Sequence, residues 1–269
     1  MQSLAGKTVL ITGAGCGIGQ LMARAAAAEK ANLALIDINS TNLEAVEAEL
    51  QPFSGQVAAF TCDISDREAV AAVSQTIKNR FGHVDVLINN AGIVIGKPFA
   101  DLTLDEMQRT MDVNYWGHVY FTHQFLPGMV ARGRGNIVNI ASSSGMLGMV
   151  NLSDYCASKF ADVGFSESLR RELKSSGHNG ITITCVCPYV IDTGMFKGFK
   201  PLLFNPVLKP EQVAGAVMEA VRKDKPYVIM PFFMVQLSRL LKILTPTGLF
   251  DWILHVTGGS RAMGAFKGR

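Results

Sequence analysis

Cysteine is scarce in this chain, and what there is does not pair. The five residues, Cys16, Cys62, Cys156, Cys185 and Cys187, are odd in number and form no C-x-x-C. That argues against a disulfide framework or a zinc site and predicts a reducing, cytoplasmic compartment. The five histidines look structural: His118 and His123 are not at i, i+4 and no acid sits near them in sequence at ligand spacing, so no metal is expected. Net charge is only +3. A nucleic-acid binder should carry a strong basic patch, so none is expected as a partner. Long apolar runs are missing as well. Pro226–Ser238, the longest charge-free stretch near the C-terminus, is 13 residues, whereas a membrane span needs roughly 20. No secretory signal precedes the first strand-like run, Lys7–Ile11. The 26 glycines and 10 prolines follow no period, which excludes a collagen-like chain.

What is present is apolar mass. Of 269 residues, 48% are hydrophobic and 17% charged, enough for a large core and too apolar for a disordered chain. The positive charge is concentrated at one end. Residues 231–269 hold Arg239, Lys242, Arg261, Lys267 and Arg269 against Asp251, so this tail is +4 and the rest −1.

Short aliphatic runs alternate with longer helical patterns. The strand candidates are Thr8–Thr12, Asn32–Ile36, Val57–Thr61, Val86–Asn89, Asn136–Ile140, Ile181–Val186 and Tyr227–Met230. Most are apolar on both faces, as parallel strands covered by helices on each side should be. Capping boxes at Thr41/Glu44, Ser65/Glu68 and Thr103/Glu106 predict helix starts, and Pro210 suits a first helical turn. The alternation predicts an α/β protein with a doubly wound parallel sheet of seven strands. No linker or repeat interrupts it. The expected organisation is a single domain over 1–230, with a C-terminal helical appendage over 231–269.

After the first strand the chain reads Thr12-Gly13-Ala14-Gly15-Cys16-Gly17-Ile18-Gly19 and then runs into an Ala-rich helix. Glycines there let backbone approach a pyrophosphate, and the helix N-terminus offers free N–H groups. The context of strand, turn and helix predicts dinucleotide binding. Asp37 ends the second strand, 18 positions after Gly19. An acid at that distance accepts hydrogen bonds from ribose hydroxyls and repels a 2′-phosphate. No Arg or Lys lies between Ile38 and Glu44 to hold such a phosphate, so NAD is favoured over NADP.

Tyr155 and Lys159 lie one helical turn apart on one face. A phenol near pKa 10 is a poor base at neutral pH, and a nearby ammonium favours its phenolate. These motifs, with Asp63 after the third strand, Asn89-Asn90-Ala91-Gly92 after the fourth, Asn114, and Ser142 thirteen residues before Tyr155, together resemble the short-chain dehydrogenase/reductase family. The resemblance covers most of the chain. It implies a Rossmann fold and a homodimer or homotetramer. It implies Tyr155 as general acid/base, Lys159 lowering its pKa and binding the nicotinamide ribose, Ser142 holding the substrate oxygen, and Asn114 holding a relay water. It also implies cofactor contacts from Gly13, Cys16, Gly17, Ile18 and Gly19, from Asp37, Asp63, Ile64 and Asn90, and from Tyr155, Lys159, Ile191 and Thr193.

One departure stands out: Tyr189 replaces the Gly that usually follows Pro188, which puts the local backbone path in question. Pro188 to Phe196 resembles the branch that holds retinol dehydrogenases and 17β-hydroxysteroid dehydrogenases. The N-terminal anchor of eukaryotic members is not expected here, and the ending from Ser260 resembles bacterial relatives. The segment Gly194–Lys209, with Met195, Phe196, Phe199, Leu202, Leu203, Phe204 and Leu208, is expected to form an apolar lid. Ile93, Val94, Met146, Leu147, Met149 and Leu152 are expected to line the pocket beneath it. The expected activity is that of an alcohol dehydrogenase/ketone reductase, preferring NAD, on a hydrophobic alcohol such as a steroid, retinoid or lipid-derived one. A dehydratase or epimerase of the same fold is the alternative, as is an idle NAD-sensing module. The complete Ser142/Tyr155/Lys159 set argues against an idle module.

The tail offers two readings. As a helix, Phe232–Leu244 places Phe233, Met234, Leu237, Leu240, Leu241 and Leu244 on one face, and Gln236, Ser238, Arg239 and Lys242 on the other, with Phe232, Val235 and Ile243 also falling on that polar side. A second apolar run, Leu249–Val256, is broken only by Asp251. The apolar stripe either packs on the core or across a dimer, or lies on a membrane surface through 231–256.

Overall fold

A computed structural model describes residues 3–203 and 206–267. Seven strands form one parallel sheet: β1 (Thr8–Thr12), β2 (Asn32–Asp37), β3 (Val57–Thr61), β4 (Val86–Asn89), β5 (Gly135–Ile140), β6 (Ile181–Pro188) and β7 (Tyr227–Met230). Their order is β3-β2-β1-β4-β5-β6-β7, so the chain reverses direction across the sheet between β1 and β4. Ligands of open α/β sheets sit at such a switch point, beyond the strand carboxyl ends. The expected strands all form, three of them longer by one or two residues.

Successive side chains of a strand point to opposite faces, and each face here has its own core. On β1, Val9 and Ile11 join one cluster and Leu10 the other. The first cluster is covered by α1 (Gly17–Ala28), α2 (Ser40–Leu50) and α7 (Pro210–Lys223), through Met22, Leu43 and Val217. The second lies under α3 (Arg67–Phe81), α5 (Gly117–Arg132) and the end of α6 (Ser153–Ser175), through Ile77, Phe121 and Leu173. Between β4 and α5 runs α4 (Leu104–Met111), joined to α5 by a π-helical turn, Asp112–Trp116. The chain continues into α8 (Phe232–Leu244) and α9 (Thr247–Val256).

Of the three expected capping boxes only Thr103/Glu106 forms. Asn39 caps α2 by accepting from the Asn42 N–H, which leaves Thr41 inside the helix. Asp66 caps α3, and Ser65 turns back to bond Asp63. In both cases an Asn or Asp stands at the residue with extended backbone, and these acceptors cap as well as Ser or better. Pro210 does occupy the first turn of α7.

The amphipathic reading of α8 needs correction. Val235, assigned to the polar side, is the residue that faces the core, packed near Ala141 and Cys187. Phe233, Leu240 and Leu244 are exposed, Phe233 at 71%. Of the expected apolar stripe, these three therefore face outward, while Met234, Leu237 and Leu241 are half-buried. No described helix is long and apolar enough to cross a membrane.

Candidate active site

The cradle is built where β1 ends. Asn90, just beyond β4, donates from Nδ2 to the Thr12 oxygen at 2.9 Å and to the Gly13 oxygen at 3.2 Å. The Thr12 hydroxyl accepts from the Asn90 and Ala91 N–H groups. Two neighbouring strand ends are thereby tied together. Gly19 sits against this turn so closely that a Cβ on it would lie 2.0 Å from the Gly13 oxygen. No side-chain bond caps α1 at Cys16, and Gly13, Cys16, Gly17 and Ile18 all line a single cavity. The helix N-terminus therefore faces a space suited to an anion.

At the far end of the cavity, Asp37 Oδ2 accepts from Gly15 N at 2.9 Å and Oδ1 from Asn39 N at 3.0 Å. Asp63 accepts from the Ser65 backbone and hydroxyl, and from Arg109 at 2.9 Å. Burial pushes the Asp63 carboxyl up, but these bonds outweigh it and hold the group below its usual range. Ile64 is buried beside it. Arg109, which the motifs did not indicate, also lines this end of the cavity.

Ser142, Tyr155 and Lys159 gather at the other end. Tyr155 and Lys159 point from α6 into the interior, 5% and 3% exposed. Ser142, just past β5, accepts from Ser144 N at 3.1 Å and donates to the Pro188 oxygen at 3.4 Å. Burial drives the Tyr155 phenol above its ordinary range, and its bond to Ser142 pulls the other way. Burial pushes the Lys159 ammonium down, while Asp162 opposes. Lys159 Nζ donates to the Ile140 oxygen at 2.6 Å.

Asn114, in the π turn, spends its side chain as a brace. Oδ1 accepts from Ile93 N at 2.7 Å, and Nδ2 donates to the Ile93 oxygen at 2.9 Å and to Ser158 Oγ at 3.1 Å. It joins the β4 loop to α6 just where Tyr155 and Lys159 emerge. π turns of this kind recur at functional sites.

The cavity has a volume of about 500 Å³. Ile191 and Thr193 line it between the cradle and Tyr155. The Phe196 ring meets Tyr155 edge-on, with centroids 5.8 Å apart, and Phe199 and Phe266 pack on Phe196. Ile93, Val94, Leu147, Met149 and Leu152 line the walls as expected, but Met146 does not. It turns into the core beside Cys185, on the other side of its loop. Tyr189 keeps an ordinary backbone. Its hydroxyl accepts from Leu202 N at 3.1 Å, so the departure from Gly fastens the lid. Phe204 of the lid lies outside the described residues.

Sequence patterns did not reveal what the C-terminal arm does here. Residues 257–267 run along the lid: Lys200 N donates to the Ala262 oxygen, Leu203 N to the Thr257 oxygen and Lys267 N to the Lys197 oxygen. Gly198, at φ +87°, lies so close to the arm that a Cβ would be 1.9 Å from the Ala265 oxygen. Met234 and Val235 of α8 and Leu254 of α9 complete the cavity wall. Among the described residues, no group of three or more His, Cys, Asp or Glu is placed to hold a metal.

Sheet order and cradle together define a Rossmann-fold protein whose ligand cavity spans the switch point. Comparison with known proteins specifies it further. The family model for short chain dehydrogenase matches residues 7–201. Epidermal retinol dehydrogenase 2 of Mus musculus is 41% identical over 267 residues, covering 96% of this chain and 86% of the relative. Retinol dehydrogenase 10 of Homo sapiens is 39% identical over 274 residues, covering 90% and 80%. A short chain dehydrogenase/reductase from Burkholderia phymatum, solved with NAD, superposes with TM-score 0.83 at 26% identity, covering 92% of this chain and 98% of that one. A metagenomic short-chain oxidoreductase solved with NADP gives TM-score 0.71 at 28% identity, covering 84% and 95%. The chain belongs to the short-chain dehydrogenase/reductase family of oxidoreductases, and its relatives include retinol dehydrogenases.

Proposed function

We propose that the protein interconverts a hydrophobic alcohol of retinoid, steroid or other lipid type and its carbonyl, using NAD. The observation that carries this reading is the buried Tyr155–Ser142 pair, one helical turn from Lys159, at the meeting of an apolar cavity and a glycine cradle. The cradle fits a dinucleotide because Gly13, Cys16, Gly17 and Ile18 line the cavity at the N-terminus of α1, with Gly19 packed tightly behind the turn. Gly13, Cys16, Gly17, Ile18 and Gly19 would hold the pyrophosphate. Asp37, Asp63, Ile64 and Asn90 would hold the adenosine half, and Lys159, Ile191 and Thr193 the nicotinamide half. When bound, the nicotinamide would accept or return a hydride.

The chain's own residues supply the proton chemistry. Tyr155 takes the hydroxyl proton in oxidation and returns it in reduction. Ser142 holds the same oxygen and stabilises charge that develops on it. Lys159 keeps a positive charge within the buried site, which favours the phenolate against the cost of burial. Asn114 braces the loop and helix that carry these groups, and a relay water near Lys159 fits its position. Phe196, Phe199 and Met149 exclude water and favour an apolar substrate. The NAD preference rests on Asp37, whose carboxylate would repel a 2′-phosphate.

The test is a panel of retinol, steroid alcohols and short aliphatic alcohols with NAD and with NADP, followed by absorbance of the reduced cofactor. Oxidation of the large apolar alcohols with NAD, well above that of ethanol, is expected. Calorimetric NAD binding without turnover of any alcohol would indicate a sensing module. Substrate conversion without net reduction of NAD would indicate a dehydratase or epimerase.

A second reading, compatible with the first, concerns where the protein works. Phe232, Phe233, Leu240, Ile243, Leu244, Trp252 and Val256 of α8 and α9 are exposed, Ile243 at 78%. Arg239 and Lys242 are exposed on the same helix pair, and Met234 and Leu254 of that pair line the cavity. Apolar surface edged with cations, continuous with the pocket wall, suits the surface of an anionic bilayer. Substrate would then pass from lipid to pocket without crossing water.

A further inference from the structure

Behind the catalytic pair lies a buried cluster that no motif indicated. Asp162 follows Lys159 by three residues and Tyr155 by seven, so all three share a face of α6. Asp162 and His118 are both 0% exposed. Asp162 Oδ1 lies 3.1 Å from His118 Nδ1, and His118 Nε2 lies 3.1 Å from the Ala91 oxygen. A carboxylate only accepts, so the Nδ1–H of His118 donates to Asp162 and orients it. The second carboxylate oxygen, Oδ2, is buried without a hydrogen bond, and Lys159 Nζ stands 3.7 Å from it.

A buried carboxylate oxygen is costly unless a charge compensates it. Lys159 meets the reciprocal problem: burial pushes its ammonium down, and Asp162 is the largest opposing influence. The other groups that face Lys159 cannot replace that anion. Tyr155 and Cys185 are both pushed well above their ordinary ranges, Cys185 through its contact with Cys187 and by burial. Cys187 lies 3.7 Å from Cys185, sulfur to sulfur, on the same strand. His118 brings a donor rather than a negative charge.

We infer that Asp162 is a positioning residue for the catalytic pair: oriented by His118, its carboxylate keeps the buried Lys159 charged. This rests on the reading of Tyr155 and Lys159 as the reacting pair. The sign follows directly. Without the anion, burial acts unopposed and the Lys159 midpoint falls. The ammonium is then lost at lower pH, and the high-pH limb of kcat/KM moves down with it.

The experiment titrates Lys159 by NMR in protein labelled with 13C at lysine Cε, with Lys159→Met used only to assign the signal. Asp162→Asn should lower the midpoint by about one to three pH units, the usual effect of an opposite charge within about 4–6 Å. A folded Asp162→Asn protein with an unmoved Lys159 midpoint would overturn the inference, whatever its turnover. A structural role alone would reduce stability or kcat without moving the titration. If the variant does not fold, the wild-type titration decides, since a Lys159 that is neutral at pH 7 would equally overturn the inference. A shifted midpoint in a protein that oxidises no alcohol would reject the proposed function and leave this electrostatic role standing.

Discussion

At the scale of single residues, Tyr155 shows how much the site must overcome. Burial raises its pKa, so the role of base proposed for the phenol requires other groups to favour its ionised form. Tyr155→Phe removes the proposed proton carrier and leaves the ring packed against Phe196. Turnover should fall by at least about 10²-fold, the lower range for loss of general acid–base catalysis. Calorimetric NAD binding should persist, because Gly13–Gly19 and Asp37 are untouched. A variant that keeps a tenth of wild-type turnover would remove Tyr155 from the mechanism. Asp37 gives a second residue-level prediction. Asp37→Ser with Ile38→Arg exchanges a repelling carboxylate for a planar cation that matches a phosphate. The ratio of kcat/KM for NAD over NADP should fall by at least an order of magnitude. Wild-type preference for NADP would show that Asp37 serves only to hold Gly15 and Asn39.

Among the elements, helix starts separate what sequence can show from what only contacts reveal. Thr103 makes its box with Glu106, so Thr103→Ala should cost about 1 kcal/mol in denaturant unfolding. Thr41 lies within α2, where Ala is the better helix former, so Thr41→Ala should be neutral or slightly stabilising. Equal losses for both would contradict these cap assignments. The strands were readable because parallel strands buried on both faces cannot hide their apolar runs. The cradle and the Tyr155/Lys159 pair were readable because each lies within a few consecutive residues. The Asp162–His118–Ala91 chain was not, since it joins three elements far apart in sequence. Nor was the outward face of α8. A wheel of nearly apolar residues does not say which stripe meets the core when lipid or another chain can meet the other.

For the molecule as a whole, the exposed tail helices predict where the protein works. The exposed side chains of α8 and α9, with a tail charge of +4, predict sedimentation with anionic liposomes. Each basic residue near such a surface contributes about 1 kcal/mol, an attraction that salt weakens. Binding to anionic vesicles that fades at high salt is the expected outcome. No binding to anionic or neutral vesicles, with a dimer in analytical ultracentrifugation, would assign the same face to a second copy of the chain. The arm over residues 257–267 adds a constraint of another kind. Its backbone is stitched to the lid at Lys197, Lys200 and Leu203, and it lies so close to Gly198 that a side chain there would clash with it. The segment over the pocket is therefore tied to residues 257–267. A fused tag, or a bilayer drawing α9 aside, that displaces this arm is expected to change the rate at which substrate enters, which stopped-flow binding would read.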